Sequence, residues 1–149
     1  MVRVWESPQL TRHMWRVFYF SRLEQDVAMQ IGYVVLYVNN PADCLKFWTE
    51  KVGMIEKGSK QAETFMIVKV GFPDQDFSFE LVPLELMKDN PDNLDLATPS
   101  IAFYVSNLQS TRDNFLDKGV QVTDIADHGG VNAFAFIDNE GRGFAVLEA

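Results

Sequence analysis

The sequence predicts an α+β fold of two βαβββ modules that form a curved mixed sheet around a concave cleft, with the helices outside. Three observations lead there. A chain of 149 residues with 47% apolar and 13% aromatic side chains can fill the core of one ordinary domain. The order strand, helix, three strands can be read twice along it. Segments of the first reading also lie over the second at a nearly constant spacing, the mark of a duplicated unit. Tyr37-Val38-Asn39-Asn40 falls over Tyr104-Val105-Ser106-Asn107 and Lys51 over Lys118 at 67 residues; Phe79-Glu80-Leu81 falls over Phe144-Ala145-Val146 at 65. A module of four strands and one helix has an open sheet face that it cannot bury alone, so two modules are expected side by side in one larger sheet.

Ile31–Val38 is continuously apolar and rich in β-branched residues, and Asn39-Asn40-Pro41 ends it, so it reads as the first strand. Asn40 can cap a helix with Pro41 in its first turn; Cys44, Leu45, Phe47, Trp48 and Val52 give it an apolar stripe that stops at Gly53. Strands are expected at Met54–Gly58, Thr64–Gly71 and Phe77–Pro83, separated by Gly58-Ser59 and Phe72-Pro73-Asp74-Gln75. Residues 84–98 are turn-rich and acidic and read as a linker between module one, 30–83, and module two, 99–149. The second module repeats the order: strand Ser100–Ser106, helix Leu108 to Lys118 stopped by Gly119, then strands Val120–Ala126, Asn132–Asp138 and Gly143–Glu148, the last two joined by the turn Asp138-Asn139-Glu140-Gly141.

Successive side chains of a strand point to opposite faces. Val34, Leu36, Val38, Phe79, Leu81, Ile101, Phe103, Val105, Phe144 and Val146 are therefore expected to face the helices. Tyr33, Val35, Tyr37, Ser78, Glu80, Val82, Ser100, Ala102, Tyr104, Gly143, Ala145 and Leu147 are expected to line the cleft.

Thirteen Lys+Arg against 21 Asp+Glu give a formal charge of −8, which repels phosphate backbones and anionic lipid, so neither nucleic acid nor a membrane surface is an expected partner. The single cysteine, Cys44, allows no intrachain disulfide and no cysteine-based zinc site. Its place on the apolar stripe argues for burial rather than nucleophilic chemistry. Residues 1–28 differ from the rest. Arg3, Arg12, Arg16 and Arg22 outnumber Glu6, Glu24 and Asp26, which leaves nine net negative charges on residues 29–149. The apolar run Val17-Phe18-Tyr19-Phe20 is too short for a membrane span or a signal sequence. This stretch reads either as an arm packed on the domain or as an extension upstream of a domain that starts near Met29. A cytoplasmic location is the expectation.

These residues together resemble the vicinal oxygen chelate superfamily, which includes glyoxalase I, fosfomycin-resistance proteins, extradiol dioxygenases and bleomycin-resistance proteins. The resemblance covers about residues 30–149. It rests on Val34–Val38 leading through Asn40-Pro41 into Phe47-Trp48-Thr-Glu-Lys-Val-Gly-Met54, on Phe79-Glu80-Leu81, on Ser100–Val105, and on Asp138–Gly141 before Phe144–Leu147. It implies the two-module fold and, commonly, a homodimer whose clefts are completed across the interface. Metal-dependent members place ligands at four positions that map here to Tyr33, Glu80, Ser100 and Ala145. Only Glu80 is a good donor, and a divalent ion needs three or more. No metal and no other cofactor is therefore expected, and the chemistries that use the ion as a Lewis acid are disfavoured. His128, in Asp127-His128-Gly129-Gly130, reads as a turn residue that could at most swing toward Glu80, and His13 is weighed lower.

The resemblance favours a metal-free small-molecule binding protein of the bleomycin-resistance type, with Tyr33, Tyr37, Glu80, Ser100 and Tyr104 as ligand-binding residues and a cationic or aromatic ligand. The alternative is a glyoxalase-like lyase or isomerase with Glu80 as base or metal ligand. A third reading is a regulatory or scaffold module that uses the fold for dimerisation. For Glu80 itself three roles stay open: anchor for a cation, general base, or partner in a salt bridge with Lys69.

Overall fold

A computed structural model describes residues 31–149; the two readings of residues 1–28, and His13 with them, lie outside the described residues. Strand β1 (Tyr33–Val38) leads into helix α1 (Pro41–Phe47), which continues as a wider π-type turn over Trp48–Val52. The start of the helix follows from two side chains. Asn40 accepts from the Asp43 amide at 3.1 Å, and Pro41 occupies the first turn, where no amide hydrogen is needed. Gly53 ends it with φ at 95°, a left-handed conformation that suits glycine.

Strands β2 (Ile55–Ala62), β3 (Phe65–Gly71) and β4 (Ser78–Pro83) complete the first module. A single 3₁₀ turn, Leu84–Met87, opens the linker. Module two holds β5 (Ala102–Val105), α2 (Leu108–Asp117), β6 (Gln121–Val122), β7 (Ala126–His128), β8 (Val131–Ile137) and β9 (Gly143–Glu148). Asn107 caps α2 as Asn40 caps α1, accepting from the Ser110 amide at 2.9 Å. Neither helix is long and apolar enough to cross a membrane.

The strand order is β1-β4-β3-β2 in the first sheet and β5-β9-β8-β6 in the second, with β7 also on β8. In each module the first strand runs parallel to the last. The α+β class and the two βαβββ modules are thus as expected, but the hydrogen-bonded sheet is not continuous. Among the described residues no strand of one module pairs with a strand of the other, and β1 and β5 are both edges. Side chains join the modules instead. Trp48 at the end of α1 is fully buried, with the rings of Phe79, Phe136 and Phe144 at 5.3, 6.0 and 5.1 Å, two of them from module two. Edge-to-face packing of this kind adds about 0.5–1.5 kcal/mol per pair to the area term. All ten residues assigned to the helix-facing side belong to this core or pack against it.

Three local expectations need correction. Gly58-Ser59 does not separate two strands but lies inside β2, which absorbs a bulge between Glu56 and Gly58 and runs on to Ala62 opposite Phe65. The strand expected at Val120–Ala126 is split after Val122, because Thr123 keeps only its amide in the ladder, donating to the Ala135 carbonyl at 2.8 Å. Its hydroxyl accepts from the Ala135 amide at 2.8 Å, and its carbonyl takes the Arg112 Nε–H at 2.7 Å. His128 is not on a loop but on β7, paired with Val131 across Gly129 and Gly130, whose φ values of 67° and 90° suit a tight hairpin. It is exposed and lies on the second sheet, away from the strand that carries Glu80.

Candidate functional site

Register sets the face of the first sheet that points away from the core. Tyr33, Val35 and Tyr37 on β1 lie opposite Ser78, Glu80 and Val82 on β4, and Lys69 on β3 lies opposite Glu80 from the other side. Neighbouring strands on both sides bury Glu80 to 7% exposure, although it points away from the helices. A buried carboxylate needs a partner. Lys69 supplies one: its Nζ sits 3.8 Å from Glu80 Oε2 and 4.2 Å from the centre of the Tyr33 ring. An ammonium held over an aromatic face and beside a carboxylate is a compact cation–π and ion-pair unit. Of the readings open for Glu80, the salt bridge with Lys69 is the one observed.

Beside this unit opens a cavity of about 250 Å³ lined by Lys57, Ser59, Lys60, Ile67, Lys69 and Glu80. Tyr33 remains 46% exposed. Tyr37 is half-buried, and its main-chain carbonyl accepts from Arg142 Nη2 at 2.6 Å. Ser100 and Tyr104 belong to the second module. Ser100 is exposed just before β5, and Tyr104, 76% exposed, stands opposite Leu147. Tyr104 lines two other cavities, of about 430 and 360 Å³, together with Phe72, Gln75 and Phe103. Tyr33 and Glu80 are therefore brought together within the chain, while Ser100 and Tyr104 lie on the other sheet.

The four positions that would hold a metal fare likewise. Tyr33 and Glu80 share one sheet face, Glu80 is tied to Lys69, and Ala145 on β9 pairs with Ala102 and offers only a methyl group. Among the described residues no three His, Cys, Asp or Glu side chains gather closely enough to hold an ion. The donor set does not fit a resident divalent metal, and no chemical step is derived through one.

One polar cluster escaped the sequence reading. In the β8–β9 turn, Glu140 reaches across to the start of α1. Its two oxygens accept from the Asn39 and Asn40 amides at 2.8 Å each, and one also takes the Cys44 thiol at 3.4 Å. Arg142 binds Glu140 at 3.1 Å and Asp138 at 3.5 Å. Burial works against the charge on Glu140, but the two amides, the thiol and Arg142 outweigh it and hold the carboxyl below its usual range. Cys44 is affected the other way: burial, and then the negative charge of Glu140, push its thiol up to about 12. A protonated, buried thiol is a poor nucleophile, so Cys44 is a structural residue. The only local signal for this clamp was the acidic hairpin turn itself; its partners are about a hundred residues away in sequence.

Comparison with known proteins follows the same lines. Residues 30–146 match the family model described as Glyoxalase/Bleomycin resistance protein/Dioxygenase superfamily. A search of curated protein sequences finds no match. Similar solved structures include a superfamily member from Sphaerobacter thermophilus DSM 20745, with a TM-score of 0.70 and 17% identity over 83% of this chain and 99% of that one. TnmS3, an antibiotic binding protein from Streptomyces sp. CB03234, superposes with a TM-score of 0.67 and 14% identity over 80% and 95%. A glyoxalase family protein from Enterococcus faecalis gives 0.65 and 16% over 82% and 99%. At these identities the likeness is one of fold.

Proposed function

We propose that this chain, which belongs to the Glyoxalase/Bleomycin resistance protein/Dioxygenase superfamily, is a cytoplasmic small-molecule binding protein that works without a resident metal ion. The observation that carries this reading is the Tyr33–Lys69–Glu80 unit: an exposed aromatic ring under an ammonium that, with its carboxylate partner, lines a cavity where a metal-dependent relative would need donors. Such a ring offers a ligand a stacking surface at low entropic cost, because Lys69 already restrains it. The ligand class is a small aromatic molecule.

The cleft is completed in a homodimer. Ser100 and Tyr104 lie apart from Tyr33 and Glu80 within one chain, and β1 and β5 are edges with no partner strand on their outer side among the described residues, so a second copy supplies the missing wall. The antibiotic binding activity printed for TnmS3 fits this class of function. A lyase or isomerase with Glu80 as base is less well supported, because Lys69 holds that carboxylate at 3.8 Å.

A thermal-shift screen of aromatic small molecules and divalent ions on wild type, Tyr33→Ala and Glu80→Ala tests the reading. Binding raises stability with ligand excess, by about 2.7 kcal/mol at a hundredfold excess over Kd. The expected result is an aromatic ligand whose affinity falls at least about tenfold in Tyr33→Ala. A divalent ion bound stoichiometrically by wild type and lost in Glu80→Ala would overturn it. Light scattering is expected to give twice the monomer mass.

A further inference from the structure

The charge of the sheet face departs from that of the whole chain. The protein carries −8, yet the cavity beside Tyr33 is lined by three lysines, Lys57, Lys60 and Lys69, against the single carboxylate of Glu80. Composition does not explain a cationic pocket in an acidic protein. Glu80 and Lys69 compensate each other at 3.8 Å. Lys57 donates to the main-chain carbonyl of Gln75, which brings no negative charge to offset it. Lys60 stands across from Ile67 on the same face and makes no ion pair among the described residues. Among the described residues the pocket therefore holds more lysine than carboxylate charge, with the Ser59 hydroxyl also in its lining.

We infer that the ligand carries an oxyanion, and that this group, not a cation, enters the pocket between Lys60 and Lys69 while the aromatic part lies on Tyr33. The inference rests on the binding reading above and names the chemical class of its ligand as an aromatic carboxylate or a close equivalent. It reverses the expectation from net charge alone, since the one carboxylate that could anchor a cation is already spent on Lys69. Size agrees. A cavity of about 250 Å³ is smaller than the roughly 300–1,000 Å³ typical of whole-ligand sites, so it takes the charged end of a molecule whose ring stays outside. Ammonium groups recognise carboxylates as point charges and with charge-assisted hydrogen bonds.

Three probes with one ring system and different charge test this on the full chain at neutral pH: 1-naphthoate, 1-naphthylmethanol and 1-naphthylmethylamine, titrated calorimetrically. The carboxylate is expected to bind at least tenfold more tightly than the amine, with the alcohol between them. Lys60→Gln, an exposed position, is expected to weaken the carboxylate about fivefold and leave the alcohol unchanged. Glu80→Gln is expected to tighten the carboxylate. If the amine binds most tightly, the ligand class is wrong while the binding reading stands. If the carboxylate is indifferent to Lys60→Gln, the inference also fails, because the lysines then only guard the exposed β2 edge against pairing. Binding of none of the three would remove the binding reading and this inference with it.

Discussion

The two modules use the same turn in opposite ways. Between β8 and β9, the second module places Glu140 on the start of α1 and Arg142 on the Tyr37 carbonyl of β1, and closes that junction. The repeat spacing of 65 sets Gln75 where Glu140 stands and Phe77 where Arg142 stands. At the matching junction, between the β3–β4 turn and α2, there is a cavity of about 430 Å³ lined by Asp74, Gln75, Ser110 and Thr111 among others. The outward sheet faces differ in the same spirit. Glu80, Lys69 and Tyr33 make the first one charged and aromatic, whereas Ala102, Ala145 and Leu147 make the second small and apolar around Tyr104. Duplication thus repeats the helix-facing core, and the copies diverge at their turns and outward sheet faces.

The largest expected effect breaks what the modules share. Trp48→Ala removes the ring that touches both halves, and loss of a fully buried Trp costs about 3–5 kcal/mol. Urea unfolding is expected to show one transition at lower midpoint for this variant; two separated transitions in wild type would mean that the modules are independent. Smaller effects sharpen the difference between the junctions. Glu140→Ala leaves two amides without their acceptor and takes one of the three partners of Arg142, and is expected to cost about 1–3 kcal/mol. Gln75→Ala, at the matching site, is expected to stay within about 0.5 kcal/mol. Equal costs would contradict the asymmetry.

The junction also has a pH signature. Because the Glu140 carboxyl is held below its ordinary value of 4.5, its contribution to stability is present above that pH and is lost as pH falls through the lower folded value. Wild type is expected to lose stability more steeply than Glu140→Gln in that acid window, measured as thermal midpoint against pH. The smallest effect concerns Cys44, whose thiol lies up at about 12. Iodoacetamide is expected to leave it unlabelled at pH 8 in the folded protein and to label it after denaturation; rapid labelling of the folded form would place the thiol outside the core.

Much of this architecture was legible in the residues. Alternation along each strand placed all ten helix-facing side chains correctly, because one buried face fixes register strongly. Asn40, Gly53 and Gly119 marked helix ends through local chemistry alone. The site was less legible. Which face Lys57 and Lys60 take depends on a bulge between Glu56 and Gly58, and a shift of one residue there reverses the answer. The Glu140 contacts with Asn39 and Asn40 join turns that no local pattern relates. The break at Thr123 came from a side-chain hydroxyl competing for a ladder amide.

In the proposed function the ligand sits on the charged face of the first module, and the larger cavity beside α2 has no such role. Backbone amide NMR of the full chain, titrated with 1-naphthoate, addresses this most directly. The predicted result is a set of shifts centred on Tyr33–Val38, Phe65–Gly71 and Ser78–Pro83, reduced in Tyr33→Ala. Shifts confined to Phe72–Gln75 and Leu108–Asp117 would contradict it.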